Sequence, residues 1–513
     1  MKLTRRTLLA TTLLPRVAIA QADQRPSVTV AVQKIANTGV LEPLREQSSN
    51  VSERWVASIL ETPIARNQQG KLERVPGIAS AWRRISPTTV ELSLRPDVRF
   101  HNGDVLTAED VAFSYGAHMF AANLPADIPQ IAKRHFPALE RVEIVDARTV
   151  RIVNKTPDLT LEGRLSAGGR EIVSQRSWME RGDWAANAKS PCGTGPYRLN
   201  RFKPDSELVL DSHDMYWGGR PKLKSVRFVE VPEVASRIAG LRAGEFDFAC
   251  DIPPDQIGEI ERVPGLKVQG GLVTNHRIVV FDKNHPVLAN PKIRLAMAHA
   301  VDCQAIVDSL WAGRARVPAG LQFDFYGDML VKGWTVPAYD PALARALLRE
   351  ANYQGGEIIY RARNNYYTAE TATAQILVEF WRAVGLNIRL EVKENWPQVL
   401  DKAGPRGVRD WSNSAVFDDP VSSLVNQHGP NGAQQTNGEW SNAEMNTLSV
   451  ELESGTDPAR RQEVFARMLQ ICEREDPAYI VLHQNAVFTG HKASLPWTQP
   501  PSFFMDFHGA WGA

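Results

Sequence analysis

An α/β fold is what this 513-residue sequence predicts, on three observations. Strand-like and helix-like segments alternate along it, with no internal repeat and no low-complexity stretch. Its length exceeds what one hydrophobic core sustains and implies two or three domains. Charged residues are dispersed, and no stretch is long and apolar enough to span a bilayer.

Residues 1–22 read as an export signal. Lys2, Arg5 and Arg6 form a basic n-region, Leu8 to Leu14 is a short apolar run, and Ala18-Ile19-Ala20 or Ala20-Gln21-Ala22 offers a small-residue cleavage site. Thr4-Arg5-Arg6-Thr7-Leu8-Leu9 resembles the twin-arginine signal, or is an ordinary n-region; either reading sends the chain to a periplasm. No Cys stands at the cleavage site, so no lipid anchor is expected. The formal charge is +1, and the signal carries four basic residues and no acid, which leaves the remainder mildly acidic. Such a balance argues against nucleic acid or an anionic membrane as the main partner.

Beyond the signal, Ser27 to Val32 and Val90 to Leu94 read as strands. Thr107, followed by Ala108, Glu109 and Asp110, opens a helix. Asp340-Pro341 starts another, with an apolar face from Leu343 through Leu347 and Leu348. A third runs from about Thr371 to Val384 and stops at Gly385, a left-handed C-cap. His101-Asn102-Gly103-Asp104 is a tight turn. Gly193 and Gly195 suggest a close-packed strand entry, because Arg198 stands where a phosphate loop needs its last glycine. Cys192, Cys250, Cys303 and Cys472 are too far apart for a zinc ribbon or redox pair; two bridges or four buried thiols both remain open.

No H-E-x-x-H, G-x-S-x-G, Walker loop or metal-spaced Cys/His cluster is present. Asp418-Asp419 is the one acidic pair that invites a catalytic reading, and adjacent extended residues point to opposite faces. Neither an enzyme nor a cofactor is expected.

Several segments together carry a resemblance. Val90 to Asp104 followed by Leu106-Thr107-Ala108-Glu109-Asp110-Val111, Gly193-Thr194-Gly195-Pro196-Tyr197, Tyr216 to Leu223, Leu241 to Asp247, Lys292 to Asp302 and Asp457 to Ile480 succeed one another in order. They resemble the peptide/nickel-type solute-binding proteins of ABC importers (extracellular solute-binding family 5) over essentially the whole mature chain. The resemblance implies a two-lobed Venus-flytrap fold with an extra subdomain on the first lobe. Lobe one would hold 23–58, 191–273 and 486–513, the extra subdomain 59–190, and lobe two 274–485. The crossings would fall near Gly270 to Asn275 and Tyr479 to Asn485. A monomer that encloses a small molecule and hands it to a membrane permease is the implied function. A dipeptide, oligopeptide or haem receptor of the same importer type is one alternative, and a periplasmic sensor or chaperone another.

Peptide-binding members of that family commonly carry D-x-x-D-P or D-x-x-E-P in lobe two, whose first Asp pairs with the peptide α-amino group. Here the stretch is Val416-Phe417-Asp418-Asp419-Pro420, and valine can neither accept a hydrogen bond nor offset an ammonium. A register shift would put Asp418 in that role instead. Against the missing acid stand possible cationic contacts. Arg361 and Arg363 share parity on a strand, His276 and Arg277 lie beside a crossing, and Arg170 follows Gly168-Gly169. Guanidinium groups suit carboxylate or phosphate, so an opine-like, polycarboxylate or metal-chelate cargo is expected, with Tyr366, Trp411, Phe417 and Trp440 as stacking walls.

Overall fold

The computed structural model describes residues 23–46, 50–404 and 406–509; the export signal expected over residues 1–22 lies outside them. Ten strands make one mixed sheet through the molecule. Its order is Ile388–Lys393, Ile358–Arg363, Val408–Ser414, Leu266–Phe281, Tyr479–Lys492, Phe248–Ala249, Ser27–Val32, Ser225–Glu230, Glu207–Ser212 and Tyr197–Lys203. A separate four-stranded antiparallel sheet (Ala79–Ser86, Thr89–Leu94, Thr149–Asn154, Leu139–Asp146) and a small hairpin (Ile64–Arg66, Arg74–Pro76) complete the β structure among the described residues.

The two longest strands stand side by side at the centre, antiparallel, and tie the halves of the sheet together. Leu266 to Leu272 pair with Ala486 to Lys492, next to the Phe248–Ala249 and Ser27–Val32 strands. His276 to Val280 pair with Tyr479 to Gln484, next to Val408–Ser414. The register breaks between Leu272 and His276, so the two halves of each strand belong to differently twisted parts of the sheet. The expected crossings bracket this break.

Four large cores surround the sheet. One gathers Val30, Phe228, Phe248 and Trp497; a second, around Leu92, Ile152 and Tyr115, lies under the four-stranded sheet. Two more, around Phe465 and Trp440 and around Trp381 and Tyr360, flank the other half of the large sheet. The molecule is therefore an α/β protein of two lobes, the first carrying an added layer.

Local signals in the sequence translate directly into elements. The strand at Thr89–Leu94 alternates inward Val90, Leu92 and Leu94 with outward side chains. Asp110 accepts hydrogen bonds from the N–H and hydroxyl of Thr107 (3.0 and 3.1 Å), which fixes the start of helix Ala108–Ser114. Asp340 caps Pro341–Glu350 by accepting the Leu343 N–H at 2.8 Å. The face of that helix is Ala344, Leu347 and Leu348; Leu343 points outward and is 39% exposed, which corrects the apolar stripe expected from spacing. Helix Glu370–Ala383 ends before Gly385, whose φ of +101° admits glycine readily. A Cβ at Gly193 or Gly195 would meet the carbonyl oxygen of Ile59 at 2.2 Å or Ser58 at 2.5 Å, so both glycines mark a close backbone approach. His101 serves the same contact, its ring bonded to the Gly195 carbonyl at 3.0 Å. All four cysteines are free thiols. No helix among the described residues is long and apolar enough to cross a membrane.

Candidate functional site

Between the lobes and the added layer lies a cavity of about 340 Å³, within the range of small-molecule sites. Three parts of the chain build it. Asn37 and Asn50 come from the first lobe. Arg134, His135 and Arg170 come from the added layer, and Tyr366, Tyr367, Trp396, Trp411 and Val416 from the second lobe.

Positive charge dominates it. Arg45, Arg134 and Arg170 line the cavity, and no Asp or Glu does among the described residues. Arg45 is already neutralised, since its fork donates to both oxygens of Asp127 at 2.7 and 2.6 Å while it stacks on Trp184. Arg170 differs. It is 1% exposed, its Nη1 donates to the Gly168 carbonyl, and its Nε and Nη2 have no hydrogen-bond partner among the described residues. Burial, and then the neighbouring Arg164, push its guanidinium down to about 9, against the opposing pull of Glu171. Arg134 occupies the last turn of helix Asp127–His135; its Nε is also unpartnered, and burial lowers its affinity for the proton. Arg164 is compensated by Asp158 and Glu453, each at 2.9 Å. Burial, then Arg170, Arg134 and Arg164 drive the His135 imidazole far below its usual range. The cavity thus presents unspent cationic donors in a desolvated setting.

The opposite wall is aromatic. Tyr366 and Tyr367 meet edge to face at 4.8 Å, Trp396 lies 5.2 Å from Tyr366, and Trp396 meets Trp411 at 4.9 Å. Residues behind the wall hold it. Arg363 lies over Tyr366 at 4.5 Å and donates to the Glu394 carbonyl at 3.0 Å, steadying the turn that carries Trp396. Arg277 stacks on Tyr367 at 3.9 Å, pairs with Asp410 at 2.5 Å and donates to the Trp411 carbonyl. Glu370 accepts the N–H groups of Arg363 and Tyr367 (2.9 and 3.0 Å), closing the loop that presents both tyrosines.

Of the residues singled out from sequence, Arg170, Tyr366, Trp411 and Val416 line the cavity. The others lie elsewhere. Arg361 and Arg363 do share a side of their strand. Both turn toward the 394–401 segment, where Arg361 donates to the Val399 and Asp401 carbonyls and approaches Glu391 at 3.6 Å. Arg277 is buried in its ion pair with Asp410, and His276 is stacked on Phe323 at 3.9 Å. Phe417 packs on Gly163 and Trp440 donates to the Asp476 carbonyl, both inside cores. Asp418 pairs with Arg74 at 2.7 Å near the surface, while Asp419 turns inward to Arg461 at 2.9 Å, so the adjacent acids do point apart. Arg45, Arg134, Tyr367 and Trp396 were not anticipated. Lys133-Arg134-His135 has the look of any solvated helix end, and only the tertiary fold brings it to the cavity. Among the described residues no group of three or more His, Cys, Asp or Glu is placed to hold a metal ion.

Comparison with known proteins agrees with this architecture. The glutathione-binding protein GsiB of Pectobacterium atrosepticum is 27% identical over 441 residues, covering 82% of each chain. The periplasmic binding protein DppA of Helicobacter pylori, solved with the peptide STSA, superposes with a TM-score of 0.82 at 18% identity, covering 93% of this chain and 96% of that one. The binding protein AgaA of A. tumefaciens R10, solved with agropinic acid, gives 0.79 at 17% identity, covering 94% and 97%. The family profile of the bacterial extracellular solute-binding proteins, family 5, matches residues 73–435, and the chain belongs to that family.

Proposed function

We propose that this solute-binding protein is the periplasmic receptor of an ABC importer and that it captures an anionic small molecule in the arginine-lined cavity. The observation that carries the reading is Arg170, buried with its Nε and Nη2 unpartnered and with no acid lining the cavity among the described residues. A guanidinium buried without a counter-charge is costly, and a ligand carboxylate or phosphate removes that cost. The aromatic wall supplies the apolar half of recognition. Residues 23–58, 191–273 and 486–513 act as lobe one, 59–190 as the added layer and 274–485 as lobe two. The break between Leu272 and His276 is the point about which they rotate. Only the closed form touches the ligand from all three parts, so binding favours closure, and the closed form is what the permease recognises.

Two features disfavour an ordinary peptide. Val416 lines the cavity where a peptide-binding relative would place its amine-pairing acid, and Asp418 is turned away to Arg74. Thermal melting of the mature protein against peptides, opines and metal–polycarboxylate chelates tests this. A native-state ligand raises apparent stability by about 2.7 kcal/mol at one hundred times its dissociation constant. Anionic compounds are expected to raise the melting temperature and dipeptides to leave it unchanged; a shift with dipeptides alone overturns the reading.

A further inference from the structure

A second cavity, of about 390 Å³, lies on the far side of Val416 and has the opposite charge. Among the described residues Glu53, Glu61, Glu171 and Asp506 line it, against a single arginine, Arg66. The partition between the two cavities is thin. Val416 lines both, Ser414 lines the first and Ala415 the second, and the neighbours Arg170 and Glu171 line the first and the second respectively.

The four acids are not equivalent. Glu61 is fully engaged, accepting hydrogen bonds from Thr194, Tyr216 and Trp217 at 2.7, 2.7 and 3.0 Å. Asp506 accepts the N–H groups of His508 and Gly509. Glu171 is 4% exposed, yet its Oε2 has no hydrogen-bond partner among the described residues. Burial holds its carboxyl up to about 7. Glu53 is likewise pushed up by burial, with Arg66 pulling the other way. A cationic group entering this space would ionise Glu171 and satisfy the free oxygen. At the partition, Val416 offers methyl groups to a passing chain, and its carbonyl is already taken by Arg66.

Building on the anion-binding reading above, we propose that the two cavities form one bipolar site for an elongated zwitterion. Its carboxylates lie at Arg134 and Arg170, an aliphatic stem crosses Val416, and a guanidinium or ammonium reaches Glu171. On this arrangement valine replaces aspartate at 416 because the cation is received one step further on. An acid at the waist would hold the ligand's positive end short of its place.

Calorimetric titration of the mature protein with N-carboxyethyl arginine and N-carboxyethyl norvaline tests the idea, since the pair differ in the guanidinium end. The arginine compound is expected to bind about tenfold tighter or better, a desolvated ion pair being worth that much or more. Glu171→Gln should bring the two within about twofold of each other, chiefly by weakening the arginine compound. Equal binding of the two by the wild-type protein overturns the bipolar site and leaves the anion reading standing. So does a Glu171→Gln variant that weakens both alike. Failure of both compounds and of every other carboxylate to bind overturns the anion reading, and the bipolar site falls with it. The wild-type comparison decides the matter even where the variant does not fold.

Discussion

Arg170 is enclosed by Arg134, Arg164 and Glu171, and the pull of its one acidic neighbour is outweighed by burial and by Arg164. On the proposed reading, a residue kept in that state serves binding at the expense of the empty protein. Arg170→Met is therefore expected to raise the ligand-free denaturation midpoint, by the equivalent of about 1–3 kcal/mol. The same change should abolish the melting shift given by anionic ligands. Urea denaturation with and without ligand measures both, and a loss of ligand-free stability would show that the guanidinium is satisfied after all. This pairing of effects also explains what the sequence could and could not disclose about the site. Arginine-rich stretches were visible, but the acids that neutralise them were not. Arg277 finds Asp410, Arg361 finds Glu391, and Arg45 finds Asp127, all distant in the chain. Charge in a sequence says little until the partners are known; what marks Arg170 is the absence of a matching acid in its cavity.

Elements are better encoded than sites because their signals are local. The strands at Ser27–Val32 and Thr89–Leu94, the helix starts at Thr107 and Asp340 and the stop at Gly385 need only a few neighbouring residues to be specified. Leu343 fell on the wrong side because the helix Pro341–Glu350 packs through Ala344 against its neighbours, and spacing alone does not say which edge of an apolar arc is covered. The order of ten strands in the sheet was equally out of reach, since it depends on pairings hundreds of residues apart. The central strands show one such pairing at its tightest. A Cβ at Gly270 would sit 1.9 Å from the carbonyl oxygen of Val487 on the partner strand. Gly270→Ala must push the two strands apart just before the register break. A loss of about 2–4 kcal/mol in unfolding free energy is expected, in the range of severe backbone or packing conflicts. Small-angle scattering should also show an altered balance of open and closed forms; wild-type stability in the variant would mean that the strands are not in contact there.

At the scale of the whole molecule, buried titratable groups set the pH at which the fold is most stable. Two populations oppose each other. His101, His428 and His483 are held at about 3, and His118 and His491 at about 4, chiefly by burial. Their unfolded counterparts take up protons near the ordinary histidine value of about 6.5. Between those limits the unfolded chain binds more protons, so stability rises with pH until about 6.5 and these groups then fall silent. Glu42, Glu61 and Glu171 behave in the opposite sense. Burial raises each to about 7, while the unfolded carboxyls ionise at their ordinary value. From there up to about 7 the folded protein holds the extra protons, so each acid subtracts stability as pH rises through that window. Glu42 illustrates the reason. It is 1% exposed, its Oε1 has no hydrogen-bond partner among the described residues, and the nearest basic atom, His118 Nε2, lies 3.6 Å away on a ring that stays neutral. Burial also raises Glu370, to about 8, and Glu46, Glu53, Asp110, Asp419, Glu453 and Glu473, so up to about pH 6.5 the two populations offset each other, and above it the acids alone still titrate. The expected profile changes little between pH 4.5 and 6.5 and declines toward pH 8. Glu42→Gln should flatten that decline and raise stability at pH 8 by an amount on the order of 3 kcal/mol, the linkage equivalent of its displacement. Urea midpoints measured between pH 4.5 and 8.5 at constant ionic strength read the profile directly. A midpoint that kept rising through pH 8 would mean that the buried acids are ionised in the fold and have found partners to hold them so.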